Sequence, residues 1–239
     1  MARARYPKSS GPPPPPLSPL TRTVGQLIAE TLHLYGRHFF KALPLGLVVA
    51  LADQVSLGLD TSGQIVVFVV AAPLFSAAYV AACVIVSART PTRGAALSAF
   101  VIGTIIFLPA AFLLPWFQIA AAFVLAFFGN AVPAIVIDGC APRASLRRSI
   151  TVARADLVHA VGGLAALAIM FGITRTAMQI LLREQADNTV RAAVFLADVV
   201  LAPMLFLGAA LLYTDLAARI GTTRAERLTA RDAEFRAAK

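Results

Sequence analysis

From Gly94 to Ile137 the chain carries no charged side chain and no histidine. As one helix, at about 1.5 Å per residue, that stretch would be far longer than the ~30 Å hydrocarbon core of a bilayer. It therefore has to turn once. Pro115-Trp116 near its middle supplies a tight hairpin with the indole at interface depth, which divides the stretch into membrane spans over 95–114 and 117–137. Composition agrees that the solvent is lipid. The chain is 59% hydrophobic and only 14% charged, where soluble domains carry about 25%. A soluble core of this size could not bury so much apolar surface.

The same reading extends to the rest of the chain and predicts an all-α membrane protein with six transmembrane helices. Two apolar runs, 39–59 and 64–86, are separated by the turn Asp60-Thr61-Ser62-Gly63, and two more follow at 157–180 and 192–214. Thr21 and Thr23 can cap a helix over 24–38. Its polar residues Gln26, Glu30, His33, Arg37 and Lys41 form one stripe, opposite Val24, Leu27, Ile28, Leu32, Tyr35 and Phe39. That pattern predicts an amphipathic helix lying at the interface. Pro142 opens a second interfacial helix over 142–156. The membrane domain thus covers 21–218. Residues 1–20, with Pro12 to Pro16, read as a disordered, Pro-rich cytoplasmic tail, with a proline-recognition ligand as the alternative. The charges alternate in sign from Asp215 onward, which predicts a short solvated helix within a basic cytoplasmic tail at 219–239.

The net charge of +9 could signal nucleic acid, but the bases lie in the gaps between apolar runs, as anionic lipids and the positive-inside rule require. With six spans, all but three of the 21 Lys and Arg fall on one side. Only Arg175, Arg183 and Arg191 lie toward the other. Both termini are then cytoplasmic, and no nucleic-acid partner is expected. The basic start Met1–Lys8 is followed by prolines rather than an apolar segment, so no cleaved signal peptide is expected. Cys83 and Cys140 form no CxxC pair and do not predict a disulfide.

An internal repeat is also legible. Thr31–Leu43 lies over Ser149–Val161 without a gap, and Val69-Val-Ala-Ala-Pro73 matches Val199-Val-Leu-Ala-Pro203 at a wider spacing that the longer loop before the sixth span absorbs. The unit is an amphipathic helix followed by two spans, the second carrying a proline.

Three segments carry a family resemblance: Leu27–Phe40, Val132–Ser149, and the exit Leu211-Leu-Tyr-Thr-Asp-Leu-Ala-Ala-Arg219. Over residues 21 to about 220 the chain resembles the membrane domain of some glycerophosphoryl diester phosphodiesterases and of stand-alone bacterial membrane proteins similar to it. Asp138 stands where members usually carry Glu. The resemblance implies a helical membrane domain in a bacterial inner membrane, whose own activity is not established. The phosphodiesterase chemistry of the fused proteins belongs to a separate barrel of about 250 residues, for which this chain has no room.

Candidate functional residues fall into three sets. Asp53, Arg175 and Asp198 are charges within spans, costly in lipid unless paired, and an Arg175–Asp198 pair is predicted. It is either a proton or ion site opening outward or a structural pair near the interface. Pro73, Pro109, Pro133 and Pro203 are candidate helix breaks, with Asn130 placed to bridge the break at Pro133. Arg37, His38, Lys41, Arg143, Arg147, Arg148 and Arg154 either bind anionic headgroups together or only set topology. Gly162-Gly163 suits close helix packing. His33, His38 and His159 form no catalytic or metal pattern, and no nucleophile or phosphate-loop motif occurs, so neither enzyme activity nor a cofactor is expected. The leading expectation is a non-enzymatic module that binds lipid or a protein partner, including a second copy. The alternative is a small transporter or transporter membrane subunit.

Overall fold

The computed structural model describes residues 18–237, so most of the predicted Pro-rich tail lies outside the described residues. Within them the chain is 82% helix without strands. The helices are α1 (Val24–Arg37), α2 (Phe39–Ser56), α3 (Thr61–Ser87), α4 (Arg93–Leu113), α5 (Gln118–Phe128), α6 (Ala131–Val136), α7 (Pro142–Ala155), α8 (Leu157–Leu181), α9 (Asp187–Leu201), α10 (Pro203–Ala218) and α11 (Arg224–Ala237). Six units are long and apolar enough to cross a membrane: α2, α3, α4, α5 with α6, α8, and α9 with α10. The protein is an all-α, multi-pass membrane protein.

Helix α10 is apolar all round and buries Met204, Phe206, Leu207, Leu211, Leu212, Tyr213 and Leu216. Such a helix belongs at the centre of a bundle, and α10 touches α1, α2, α3, α7, α8 and α9. Lipid gives apolar helices no solvent reason to associate, so close packing has to hold them together. Glycines permit it at the crossings. A Cβ on Gly46 would lie 2.1 Å from the Val199 carbonyl oxygen, and one on Gly208 would lie 2.6 Å from Leu167. Of the Gly162-Gly163 pair, only Gly163 makes a close approach, to Leu212 and Leu27.

Two spans are interrupted, each for an identifiable reason. The sixth breaks at Ala202, where Pro203 has no N–H to offer the Val199 carbonyl and Gly46 packs directly against Val199. The Tyr35 hydroxyl donates to the neighbouring Val200 carbonyl at 2.7 Å. The fourth breaks at Gly129-Asn130 ahead of Pro133, and the Asn130 amide donates to the Ala126 carbonyl at 2.8 Å. Pro73 and Pro109 do not break their helices, contrary to the sequence expectation. Both sit inside continuous α3 and α4, as Pro44 does in α2, because losing one hydrogen bond does not end a helix supported on its sides by other helices.

Helix α1 starts with a capping box, in which Thr23 accepts from the Gln26 N–H while the Gln26 side chain accepts from the Thr23 N–H. Arg22 just before it meets Asp215 near the end of α10, and Tyr35 near its end meets Val200 at the end of α9. So α1 runs alongside the sixth span and buries Leu27, Leu34 and Tyr35 on protein. Helix α7 buries the small stripe Ser145, Ser149, Val152 and Ala153 against α5 and α6, and the Ser149 hydroxyl donates to the Phe127 carbonyl at 2.6 Å. The repeat holds in element order and in its one-residue joints, His38 before α2 and Asp156 before α8. It does not hold in packing, since α1 rests on α10 and α8 while α7 rests on α6 and α5.

The solvated helix expected in the tail is present as α11, mostly exposed, but it begins later than Asp215. Helix α10 continues to Ala218 with Asp215 fully buried. Helix α11 is tied back by Arg227 to Asp156 at 3.3 Å and by the Thr21 hydroxyl to Glu234 at 2.6 Å.

Candidate functional site

The charged groups gather at the two ends of the bundle. At the end where Arg22 and Arg219 meet, called here the terminal end, Asp215 on α10 pairs with Arg22 at 2.7 Å. Its second oxygen lies 3.5 Å from His159 Nε2 on α8. Arg219 donates to the Arg22 carbonyl and pairs with Asp156 at 2.8 Å. Asp156 also caps α8 by accepting the His159 N–H at 3.1 Å. Burial by itself would raise the Asp156 carboxyl, but the His159 N–H and the guanidiniums of Arg219 and Arg227 outweigh it and hold the group below the usual carboxylate range. This network binds the segment before α1, the α7–α8 joint, the end of α10 and α11 into one unit.

Beside it, Tyr213 on α10 donates to Asp138 at 2.6 Å, and Arg148 on α7 donates to the same oxygen at 3.3 Å. Asp138 is presented by the α6–α7 turn, where Gly139 adopts φ +70, a conformation glycine takes without strain. Arg148 is thereby engaged in a structural contact and leaves the headgroup set. Arg37, Lys41, Arg143, Arg147 and Arg154 are exposed, and none of them forms an ion pair among the described residues. Arg37, His38 and Lys41 belong to the α1–α2 joint, whereas Arg143, Arg147 and Arg154 line the outer face of α7.

At the far end, three spans converge on the intramembrane charges. Asp53 lies one turn before the end of α2, Arg175 two turns before the end of α8, and Asp198 one turn before the Ala202 break. The predicted Arg175–Asp198 ion pair is present, and Asp53 extends it to a triad. Arg175 Nη2 bonds Asp53 Oδ2, while Arg175 Nε lies 3.8 Å from Asp198 Oδ1. The helix register explains the preference. Gly46 brings α2 against Val199, and the Gln54 amide donates to the Arg191 carbonyl at 2.9 Å, so Asp53 is carried into reach of α8. Asp198 is 0% exposed. Both of its carboxylate oxygens, and Arg175 Nε, lack a hydrogen-bond partner.

Sequence reasoning reached the members of the triad but not the terminal network. Arg22 and Asp215 lie at opposite ends of the chain, and no local pattern pairs them. The one available signal was that Leu211, Leu212, Leu216, Ala217 and Ala218 flank Asp215, a setting that suits a buried acid better than the start of a tail. Among the described residues no three His, Cys, Asp or Glu side chains gather as a metal site. No family model, curated protein or solved structure matches the chain.

Proposed function

We propose that this multi-pass membrane protein is a non-enzymatic module that engages anionic lipid headgroups through α7, in a bacterial inner membrane and with both termini cytoplasmic. The observation that carries this reading is the sorting of bases on and around α7. Arg148 is committed to Asp138 and Tyr213, and Arg219 and Arg227 are committed to Asp156. Arg143, Arg147 and Arg154 stay exposed and unpaired on a helix whose other face is fixed by small buried side chains. Exposed cations on a rigid helix beside apolar spans suit phosphate headgroups, and their excess at one end supports the orientation.

Each such base contributes about 1 kcal/mol toward an anionic surface. Changing Arg143, Arg147 and Arg154 together to Gln should therefore lower anionic-lipid retention by roughly two orders of magnitude. The measurement is mass spectrometry of lipids retained when wild-type and variant protein are extracted into nanodiscs. Equal ratios of anionic to zwitterionic lipid would remove the proposal. A second reading, a small transporter or transporter subunit, is favoured by one observation, the buried and unpartnered Asp198. A stoichiometric non-lipid solute in the same extracts would support it.

A further inference from the structure

The far-end triad carries an inference independent of the lipid reading. Its charges do not balance. Two carboxylates, Asp53 and Asp198, share one guanidinium, Arg175, whose bond is made to Asp53. Asp198 is completely enclosed, with both oxygens unpartnered, although its side chain projects toward Arg175. A bare carboxylate in that position would be costly.

The other groups facing it offer no relief. On α9 itself, Asp187 and Arg191 lie two or more turns toward the rim, and the Arg191 carbonyl is occupied by Gln54. From α2 the facing group is Asp53, since Lys41 lies at the opposite end of that helix. From α8 it is Arg175, and His159 belongs to the terminal network. From α10 the next acid is Asp215, also in that network and already paired with Arg22. From α1, Tyr35 is committed to the Val200 carbonyl.

We propose that Asp53, Arg175 and Asp198 form a binding site for one exchangeable proton, carried on Asp198 and reached from the far end. With the proton in place, Asp198 is a neutral acid, Arg175 and Asp53 form a neutral pair, and the site has no net charge. When the Asp198 O–H bond breaks, the proton passes to far-side water and the electron pair remains on the carboxylate. Arg175 Nε, already 3.8 Å away and without a partner, then turns to Asp198 and loosens its hold on Asp53. The Arg175 side chain is 26% exposed and supplies the connection to the rim. The Ala202 break lies one turn from Asp198, so the exchange of partners occurs where the sixth span is already discontinuous. A permanently ionised structural pair would need neither the second carboxylate nor an unpartnered Nε.

Infrared difference spectroscopy of the full chain in lipid nanodiscs tests this. Wild type minus Asp198→Asn at neutral pH should show one protonated-carboxyl C=O band, which shifts in D2O and fades at alkaline pH. Asp53→Asn should abolish that band, because Arg175 becomes free to pair with an ionised Asp198. Arg175→Gln should instead add a second band. Asn resembles a protonated carboxyl, so Asp198→Asn should fold and melt within about 2 °C of wild type at neutral pH, about the shift that 1 kcal/mol gives in a chain of this size. No band difference between wild type and Asp198→Asn across the pH range in which both are folded overturns the proposal, and so does a band that fails to shift in D2O.

Discussion

Gly46 offers a severe test of how the far end is built. It stands where α2 crosses α9, and the methyl of an alanine would lie 2.1 Å from the Val199 carbonyl oxygen, 2.8 Å from the carbonyl carbon and 2.7 Å from Pro203 Cδ. Two of these atoms are backbone and the third is a rigid ring, so no rotamer change relieves the overlap. The helices must separate, at a cost of about 1–3 kcal/mol for overpacking, offset by up to about 1 kcal/mol of improved helix propensity. Two glycines of α8 calibrate the result. At Gly163 the new methyl would meet the flexible tip of Leu212 at 2.9 Å, and at Gly162 it would meet nothing within 4 Å. Because the clash is with backbone, the upper end of that cost applies and the net is about 2 kcal/mol, so at about 2–4 °C per kcal/mol in a chain of this length Gly46→Ala should melt about 4–8 °C below wild type. Gly163→Ala should fall between, and Gly162→Ala should equal or exceed wild type. Cys83 is fully buried in α3, and a thiol in such a place is unreactive until the fold opens. A thiol-reactive dye in a Cys140→Ser background therefore reports unfolding directly. A Gly46→Ala variant that melts with or above Gly162→Ala would refute the close crossing, and with it the register that presents Asp53 to Arg175.

In the terminal network, Arg22→Gln leaves Asp215 buried without its nearest cation and should cost about 3–5 kcal/mol. Adding Asp215→Asn should restore most of the loss in a double-mutant cycle, whereas additive losses would contradict the pair. The Asp156 carboxyl is held below its ordinary 3.8 in the folded state, so its contribution is complete above that value and is lost as pH falls through the lower, folded value. Asp156→Asn should accordingly lower stability at neutral pH and flatten the part of the acid-unfolding curve below about pH 4. An unchanged acid limb would argue against the contacts to Arg219 and Arg227. Hydrogen exchange should divide the sixth span at its break, with α10 amides better protected than those of α9. Equal protection on both sides of Ala202 would show that the break is not a boundary of stability.

The spans were legible because hydropathy over some twenty residues is a local property, and the charge-free run from Gly94 to Ile137 admits few alternatives. Their edges moved most where polar residues belong to the helix itself. Thr61 and Ser62 begin α3 behind the Asp60 cap, which accepts the Gly63 N–H, and Asp187–Arg191 begin α9 although they read as loop. The packing partners of α1 were not legible. An amphipathic stripe reports that one face is polar, not whether the apolar face meets lipid or another helix. The prolines misled for a related reason. Pro203 breaks its span and Pro73 does not, although both sit in matching Val-Val-x-Ala-Pro segments. What differs is the packing. Val199, the residue whose carbonyl Pro203 leaves unpartnered, lies directly against Gly46, and the next carbonyl is taken by Tyr35.

Asp198 and Asp215 are both fully buried acids on the same span, and they are treated oppositely. Asp215 is contacted by Arg22 and His159, with Arg219 bonded to the backbone of Arg22, and the neighbouring Asp156 adds only one further carboxylate against Arg219 and Arg227. Cations there outnumber acids, and every carboxylate has a close partner. At the far end the ratio is reversed, and the acid in deficit is the one next to the helix break. Covalent continuity through α10 joins the two ends, so a change of partner by Arg175 acts on a span whose other end is fixed. Besides α10, the helices that α9 touches are α2 and α8. Those are the helices that carry Asp53 and Arg175, which places the group that senses the charge and the segment free to respond within the same packing unit.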